Sequence, residues 1–489
     1  MTDTLTRLKT IYRRTYPHLP IVLQDAALST VGWHNEFTCR GRGFSALLND
    51  YEARTFADRE VISEYRDARL RVFLLHAYET VPFYREWFDE AGLHPRDVAR
   101  LDDLGALPIL SKAVVQERRQ EFLSTSIPRR RWKQIATSGS TGSGLTVTTT
   151  IESVQEQWAT WWRYWRWHGI ERGTWSANFG SPTVVPLRQK TAPFWRYNVS
   201  GRETVFSKFH TSPENIKLYI AELRRKKPLW LRGDPSQLTL IASYIVETGA
   251  DLGYEVRWIT TSSENLLSQQ ALLIEKAFGV KPKQHFGMVE AIANLSECEK
   301  GRLHVDEELG AVEFVPITDS LYRVIGTNLS NPVMPLIRYE CNDHVTIESE
   351  DSCQCGRPGR VVTHIDGRQE DYIVLKNGIR LGRLDRIFYG LSNVREAQIR
   401  QERVGEIRFI VRRGVNYGSE DDARLRAEIA TWIRDESKIV IEYVEEIERT
   451  ERGKLRFVVS TVLVEETTGY ELLPPPALLA LENLESAGH

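Results

Sequence analysis

The stretch Thr137 to Thr150, TSGSTGSGLTVTTT, sets Gly139, Gly142 and Gly144 among a row of hydroxyl side chains. Glycine lets successive backbone N–H groups converge, and serine and threonine hydroxyls add donors, so such a loop makes a concave site for an anion such as phosphate. A Walker-type loop places a lysine directly after its last glycine and then enters a helix. Here Leu145 follows Gly144, and Val147 with its flanking threonines favours a strand, which argues against an ordinary kinase or GTPase loop. A Ser/Thr/Gly surface linker has the same composition. What separates the two readings lies elsewhere in the chain.

A second group of residues could hold a metal. The five cysteines, Cys39, Cys298, Cys341, Cys353 and Cys355, are too few in 489 residues for a disulfide framework. Cys298 and His304 are separated by five residues, and Cys353 and Cys355 form a C-x-C pair followed by Gly356. Three thiolates and one imidazole complete a closed, tetrahedral Zn²⁺ site of structural type. Neither half is the common C-x-x-C, so ordinary thiols are the competing reading, and that reading is preferred for Cys39 and Cys341. His285 and His344 have no partner at metal-ligand spacing and read as core or surface.

The elements that must carry these groups are legible from periodicity. Residues 1 to about 135 read as mainly helical, with apolar residues at three- and four-residue spacing through Val61 to Tyr84 and a capped helix start at Ser111-Lys112. Val154 to Trp167 places Trp158, Trp161, Trp162 and Trp165 on one helical face, and core packing is expected for most of them. From about 174 to 335 short apolar strands such as Pro228 to Leu231 and Val256 to Thr260 alternate with helices such as Pro235 to Thr248 and Ser268 to Phe278. That alternation predicts a parallel, doubly wound sheet with function at the carboxyl ends of its strands. Thr261-Ser262-Ser263-Glu264 and Gln284 to Glu290 stand at two such ends. A boundary near 366 precedes a small α+β portion with strands Glu396 to Glu402 and Glu406 to Arg412, helix Glu420 to Glu436 and strand Lys438 to Ile447, and Leu472 to His489 reads as a tail.

Length and charge bound the rest. At 489 residues two or more domains are expected. With 64 basic and 66 acidic residues the net charge is −2, so no overall field favours nucleic acid or an anionic membrane. The amino terminus lacks the apolar core of a secretory signal and no apolar run is long enough to span a bilayer, from which a cytoplasmic protein is expected.

Four separated signatures, in order between roughly Leu107 and Val459, resemble the adenylate-forming superfamily of acyl-CoA synthetases. Within it the chain looks most like the phenylacetate-CoA ligase-like branch, which includes proteins linked to capsule polysaccharide synthesis. The first signature is the glycine loop, where Ser138 to Gly142 match the family's phosphate loop, while Gly144 and Leu145 occupy its proline and lysine positions. The second is Phe286-Gly287-Met288-Val289-Glu290, similar to the family's tyrosine, glycine, methionine, threonine, glutamate. The third is Leu336 to Asp343, with Asn342 where the family has glycine, followed by the hinge-like Gly367-Arg368-Gln369-Glu370-Asp371. The fourth is Arg449 to Arg456, which resembles the motif that presents the adenylation lysine, here Lys454.

The resemblance implies an α/β protein with a large N-terminal domain of doubly wound sheets, residues 1–366, and a small mobile α+β domain, residues 367–471. ATP is expected against Thr137, Ser138, Gly139, Ser140, Thr141, Gly142, Glu264, Phe286, Gly287, Asp343 and Arg368, with Glu290 on Mg²⁺, Lys454 and Glu290 catalytic, and Glu370 at the hinge. Asp343 would accept from the ribose hydroxyls, and Phe286 would stack near adenine. Relatives carry a similar cysteine, histidine, paired-cysteine arrangement, which favours zinc at Cys298, His304, Cys353 and Cys355. The implied reaction activates a carboxylic acid as an acyl-AMP and passes it to coenzyme A, and the tryptophan helix points to an aryl or otherwise apolar acid. Transfer to an amine or a carrier-protein thiol, and a non-catalytic relative prompted by Gly144, Leu145 and Val289, are the competing readings. The expected partners are thus ATP, a small carboxylic acid and CoA or an amine, with no nucleic acid and no membrane span. Homodimerisation is compatible with these expectations.

Overall fold

The computed structural model describes residues 15–136, 145–180, 184–347, 353–368, 372–382, 384–388, 391, 393–433, 437–450, 453–462 and 469–472. The phosphate-loop residues Thr137 to Gly142, the hinge residue Glu370 and the tail beyond Leu472 therefore lie outside the described residues. The chain divides into two compact units, one made of Asn35–Glu171 and Lys283–Gln369, the other of Met1–His34, Arg172–Pro282 and Glu370–His489.

In the first of these, the helices Arg42–Ala53, Arg59–Thr80, Pro82–Glu90 and Lys112–Glu117 supply most of the lead-in. The apolar periodicity that runs from Val61 to Tyr84 is broken at Val81, which is extended with φ −115° and ψ 113°. Proline has no N–H and excludes the α conformation from the residue before it, so Pro82 ends one helix and opens the next. The strands of this unit are antiparallel. One set runs in the order Val361–Val362, Leu303–Val305, Asn294–Glu297, Lys283–Gly287. The other is a meander of Gly310–Pro316, Leu321–Asn328, Tyr339–Thr346 and His364–Arg368. The alternation of strand and helix thus stops at Lys283 rather than continuing to 335. A parallel crossover needs a dozen or more residues, and the chain between Gly287 and Asn294 is too short for one. One apolar core, from Leu70 through Leu145 and Val147 to Ile365, packs the helices on these strands.

The other unit holds the parallel sheet. Its strands lie in the order Trp195–Asn198, Glu203–Phe206, Ser176–Phe179, Trp230–Gly233, Trp258–Thr261, parallel except for the first pair. The helices Pro213–Lys226, Pro235–Thr248 and Ser268–Phe278 return the chain, and the last two have the bounds expected from periodicity. Strand order reverses beside Ser176–Phe179, so the carboxyl ends of Ser176–Phe179 and Trp230–Gly233 flank a switch-point crevice, where open α/β sheets bind ligands. The strands approach closely there, because a Cβ at Gly233 would fall 2.7 Å from the Phe179 carbonyl carbon. The C-terminal sheet has the order Lys438–Val444, Glu406–Arg413, Val394–Arg403, Val458–Ser460, with helix Ser419–Trp432 packed through Leu425 and Ile429 into its core.

Candidate active site

The glycine loop connects the antiparallel strands Lys133–Ala136 and Thr146–Thr149, whose register pairs Ala136 with Thr146 across its two ends. Leu145, at the position of the family's lysine, is buried in the core. Of the helix that follows, capped by the Thr150 side chain, Trp162 and Trp165 are buried, whereas Trp158 and Trp161 are half-buried. The rings form one cluster, with Trp161 centred 5.4 Å from Trp158 and 4.9 Å from the His285 ring.

His285 lies on strand Lys283–Gly287 with Phe286 and Gly287. Burial pushes its imidazole down to about 3, so the ring is neutral, and Asn294 donates to Nε2 at 3.0 Å. Gly287 is hemmed in: a Cβ there would stand 2.7 Å from Asn294 Oδ1 and 3.0 Å from the His285 ring. The chain then turns sharply, with the Ala291 N–H on the Met288 carbonyl and Ala291 at φ +55°, and half-buried Glu290 sits in this turn. Asn328 fastens the turn by donating to the Glu290 carbonyl at 3.1 Å.

Asp343 arrives by a different device. Ile325 pairs with Glu340 and Arg323 with His344, so Cys341, Asn342 and Asp343 bulge opposite Val324 alone. A bulge bends the strand and re-aims side chains, and Asn342 supplies the left-handed conformation it needs, at φ +63°. Cys341 reports what surrounds the bulge: burial pushes its thiol well up, and the charges of Asp343 and then Glu290 push in the same direction. Both carboxylates thus act on this half-buried thiol in the same direction. Arg368 is the register partner of Asp343 across the strand pair.

Cys298, His304, Cys353 and Cys355 come together, with their four ligand atoms within 4.8 Å of one another. Cys298 Sγ lies 3.7 Å from Cys353 Sγ, and Cys355 Sγ lies 3.3 Å from His304 Nε2. These are edge lengths of the tetrahedron that metal–ligand distances of about 2.3 Å to sulfur and about 2.0 Å to nitrogen produce. Burial pushes the Cys298 thiol up to about 12. For Cys355 burial acts upward too, but the Arg357 N–H and neighbouring donors outweigh it and hold the thiol below its usual value. Arg357 is itself fixed, its guanidinium 4.4 Å from the Trp167 ring and paired with Glu299 at 2.6 Å. His285 and His344 stand outside this cluster.

In the other unit, Lys454 follows a turn in which the Gly453 N–H donates to the Thr450 carbonyl at 2.7 Å and the Lys454 N–H to the Thr450 hydroxyl at 3.1 Å. Its ammonium donates to the Ser263 carbonyl at 2.7 Å, just past strand Trp258–Thr261. Glu264, the next residue, turns its carboxylate to the start of helix Pro235–Thr248, accepting from the Ser236 N–H at 3.1 Å and hydroxyl at 3.2 Å. Desolvation, then the charge of Asp234, pushes Glu264 up to about 7, against the pull of the Ser236 donors and Lys454. Asp234, buried at the switch point, pairs with the equally buried Lys208 at 3.0 Å.

Lys208, Asp234 and Ser236 escaped the reading of the sequence. Asp234-Pro235-Ser236, separated by Arg232 and Gly233 from the apolar run that ends at Leu231, was the available signal, since it marks both a strand end and a helix start.

Comparison with known proteins places this arrangement. Residues 374–461 match the CapK C-terminal domain. Over 453 residues the chain is 23% identical to Protein CapK of Staphylococcus aureus, covering 91% of this chain and 99% of that protein. It is 24% identical over 401 residues to phenylacetate-coenzyme A ligase of Thermus thermophilus, covering 76% and 82%. Among solved structures, 2-hydroxyisobutyryl-CoA ligase in its postadenylation state, in complex with 2-HIB-AMP, superposes with a TM-score of 0.66 at 18% identity, over 89% of this chain and 94% of that one, which establishes the fold. This mixed α/β chain, with a CapK-type C-terminal domain and similarity to phenylacetate-CoA ligases over most of its length, is thus similar to the adenylate-forming superfamily, in its CapK-like, phenylacetate-CoA ligase-like branch.

Proposed function

We propose that the chain is an AMP-forming ligase that activates a carboxylic acid with ATP and transfers the acyl group to coenzyme A. The observation that carries this reading is the seating of Lys454, in the superfamily's lysine motif, at the carboxyl edge of the parallel sheet. In the first half-reaction the acid's carboxylate oxygen attacks the α-phosphorus and pyrophosphate leaves. Negative charge builds on the α-phosphate oxygens, and a fixed ammonium in a water-poor site stabilises it without reorganisation. In the second, the CoA thiol displaces AMP from the acyl carbon. The hydroxyls and N–H groups of Thr137 to Gly142 hold the phosphates, Phe286 and Gly287 border the base, and Asp343 with Arg368 receives the ribose. Glu290 would hold Mg²⁺, which screens the triphosphate when bound. Residues 1–366 act as the ATP- and acid-binding domain, with 367–471 a small mobile domain that carries Lys454 and hinges at Glu370.

The acid is an aryl or otherwise apolar one, supported by half-buried Trp158 and Trp161 beside the neutral His285 ring. The four-residue cluster Cys298, His304, Cys353 and Cys355 holds a structural Zn²⁺, whose chemistry there is a cross-link between chain segments.

The decisive experiment is ATP–pyrophosphate exchange with Mg²⁺ and a panel of aryl, fatty and hydroxy acids, followed by thioester detection with CoA. Exchange that depends on one acid and falls about 10²-fold or more in Lys454→Ala is the expected result. ATP binding without exchange for any acid would overturn the reading.

A further inference from the structure

Lys454 does not rest on one carbonyl. Arg449, four residues before Gly453, donates to the Gly453 carbonyl at 3.3 Å and to the Ser236 hydroxyl at 3.4 Å, and pairs with Glu396. Ser236 in turn donates through both its N–H and its hydroxyl to Glu264. Asp234, one residue before the helix that begins at Pro235, feels the charges of Lys208, Lys454 and Arg449, and Glu264 feels that of Lys454. Gly453 lies against this floor, where a Cβ added to it would stand 3.2 Å from the Lys208 Cδ. The floor is thus built from strand ends and a helix start of one compact unit, and the lysine turn is laid across it.

We propose that Asp234 and Glu264 are positioning residues for Lys454: the two carboxylates, with Ser236 and Arg449 between them and the turn, form a seat that fixes the ammonium on the Ser263 carbonyl. This rests on Lys454 being the adenylation lysine, and assigns its seat. A flexible lysine stem has four rotatable bonds, and seating it beside prearranged acidic groups removes much of that freedom before the acid arrives. Lys208 pairs with Asp234 and opposes the desolvation that pushes its carboxyl up.

The test reads the amine itself. The full chain is acetylated with acetic anhydride across a pH series, and labelling of Lys454 is followed by peptide mass spectrometry, with exposed Lys281 as the internal reference. The variants are Glu264→Gln, its charge-retaining control Glu264→Asp, and Asp234→Asn combined with Lys208→Met, which avoids leaving a buried ammonium without its partner. Removing either carboxylate should raise Lys454 labelling below its midpoint by about threefold or more relative to Lys281, with Glu264→Asp returning toward wild type. In the exchange assay Glu264→Gln lowers kcat by a larger factor than it raises KM for ATP. Unchanged Lys454 labelling in both folded variants would overturn the proposal, as would a raised KM for ATP at constant kcat, which would make Glu264 a nucleotide contact. Exchange that survives Lys454→Ala would instead remove the role of Lys454, and the labelling result would still decide whether the seat exists.

Discussion

Lys454 reaches the Ser263 carbonyl at 2.7 Å because the residue before it can take a conformation that other residues resist. Gly453 has φ +76°, and a Cβ there would meet the Phe209 ring at 3.0 Å. Gly453→Ala therefore combines left-handed strain with a clash and lifts the turn from its floor. The expected outcome is a loss of ATP–pyrophosphate exchange of about tenfold or more, with a stability loss of about 1–2 kcal/mol from the left-handed strain. Exchange kinetics beside thermal unfolding would check it, and a large loss of stability with normal exchange would contradict it.

The cysteine–histidine cluster predicts one tightly held Zn²⁺ per chain. Metal analysis after purification without chelator should find it, and Cys353→Ser with Cys355→Ser should abolish it. Because Cys and His bind metal only when deprotonated, acid releases zinc along with any stability it supplies. A well-folded wild type without zinc would exclude the site.

Asn342 allows a stability test independent of any ligand. At φ +63° glycine fits without strain, whereas a β-branched side chain costs about 1–2 kcal/mol. Asn342→Gly should unfold close to wild type, Asn342→Val earlier, and the latter should also weaken nucleotide binding by displacing Asp343. Equal unfolding of the two variants would show that the bulge does not depend on this residue.

His285 is buried and held neutral, with its imidazole near 3, and burial likewise pushes His168 down to about 4. In the unfolded chain a histidine takes up its proton near pH 6.5. Between about pH 6.5 and these lowered values the unfolded state therefore binds more protons, so stability falls as pH falls, by up to about 1.4 kcal/mol per pH unit for each ring. Urea unfolding at about pH 7.5 and about pH 5 should show a smaller loss in His285→Gln than in wild type. Identical losses would mean that His285 titrates freely in the folded chain.

Much of this architecture is written locally. Helices Pro235–Thr248 and Ser268–Phe278 carry their own periodicity and end at Gly249 and Gly279, both in the left-handed conformation that closes a helix. The tryptophan helix is similarly self-evident, but which of its rings stay half-buried depends on what packs beside them, and the 3.6-residue period does not say. The change to antiparallel strands after Lys283 is also muted, because a short apolar run looks the same in either kind of sheet.

By itself, the sequence determined the kinds of groups available and their order: a glycine–hydroxyl loop, an aromatic-glycine-x-x-glutamate stretch, three thiols with an imidazole, and a glycine–lysine turn. Tertiary structure alone decided which of them meet. Lys208 finds Asp234 across 26 positions and Lys454 finds Ser263 across 191, because strand order sets one strand end beside another. Local patterning fixes an element and its buried face, whereas the partner of a charge at a strand end is fixed by the sheet, and no spacing along the chain records it.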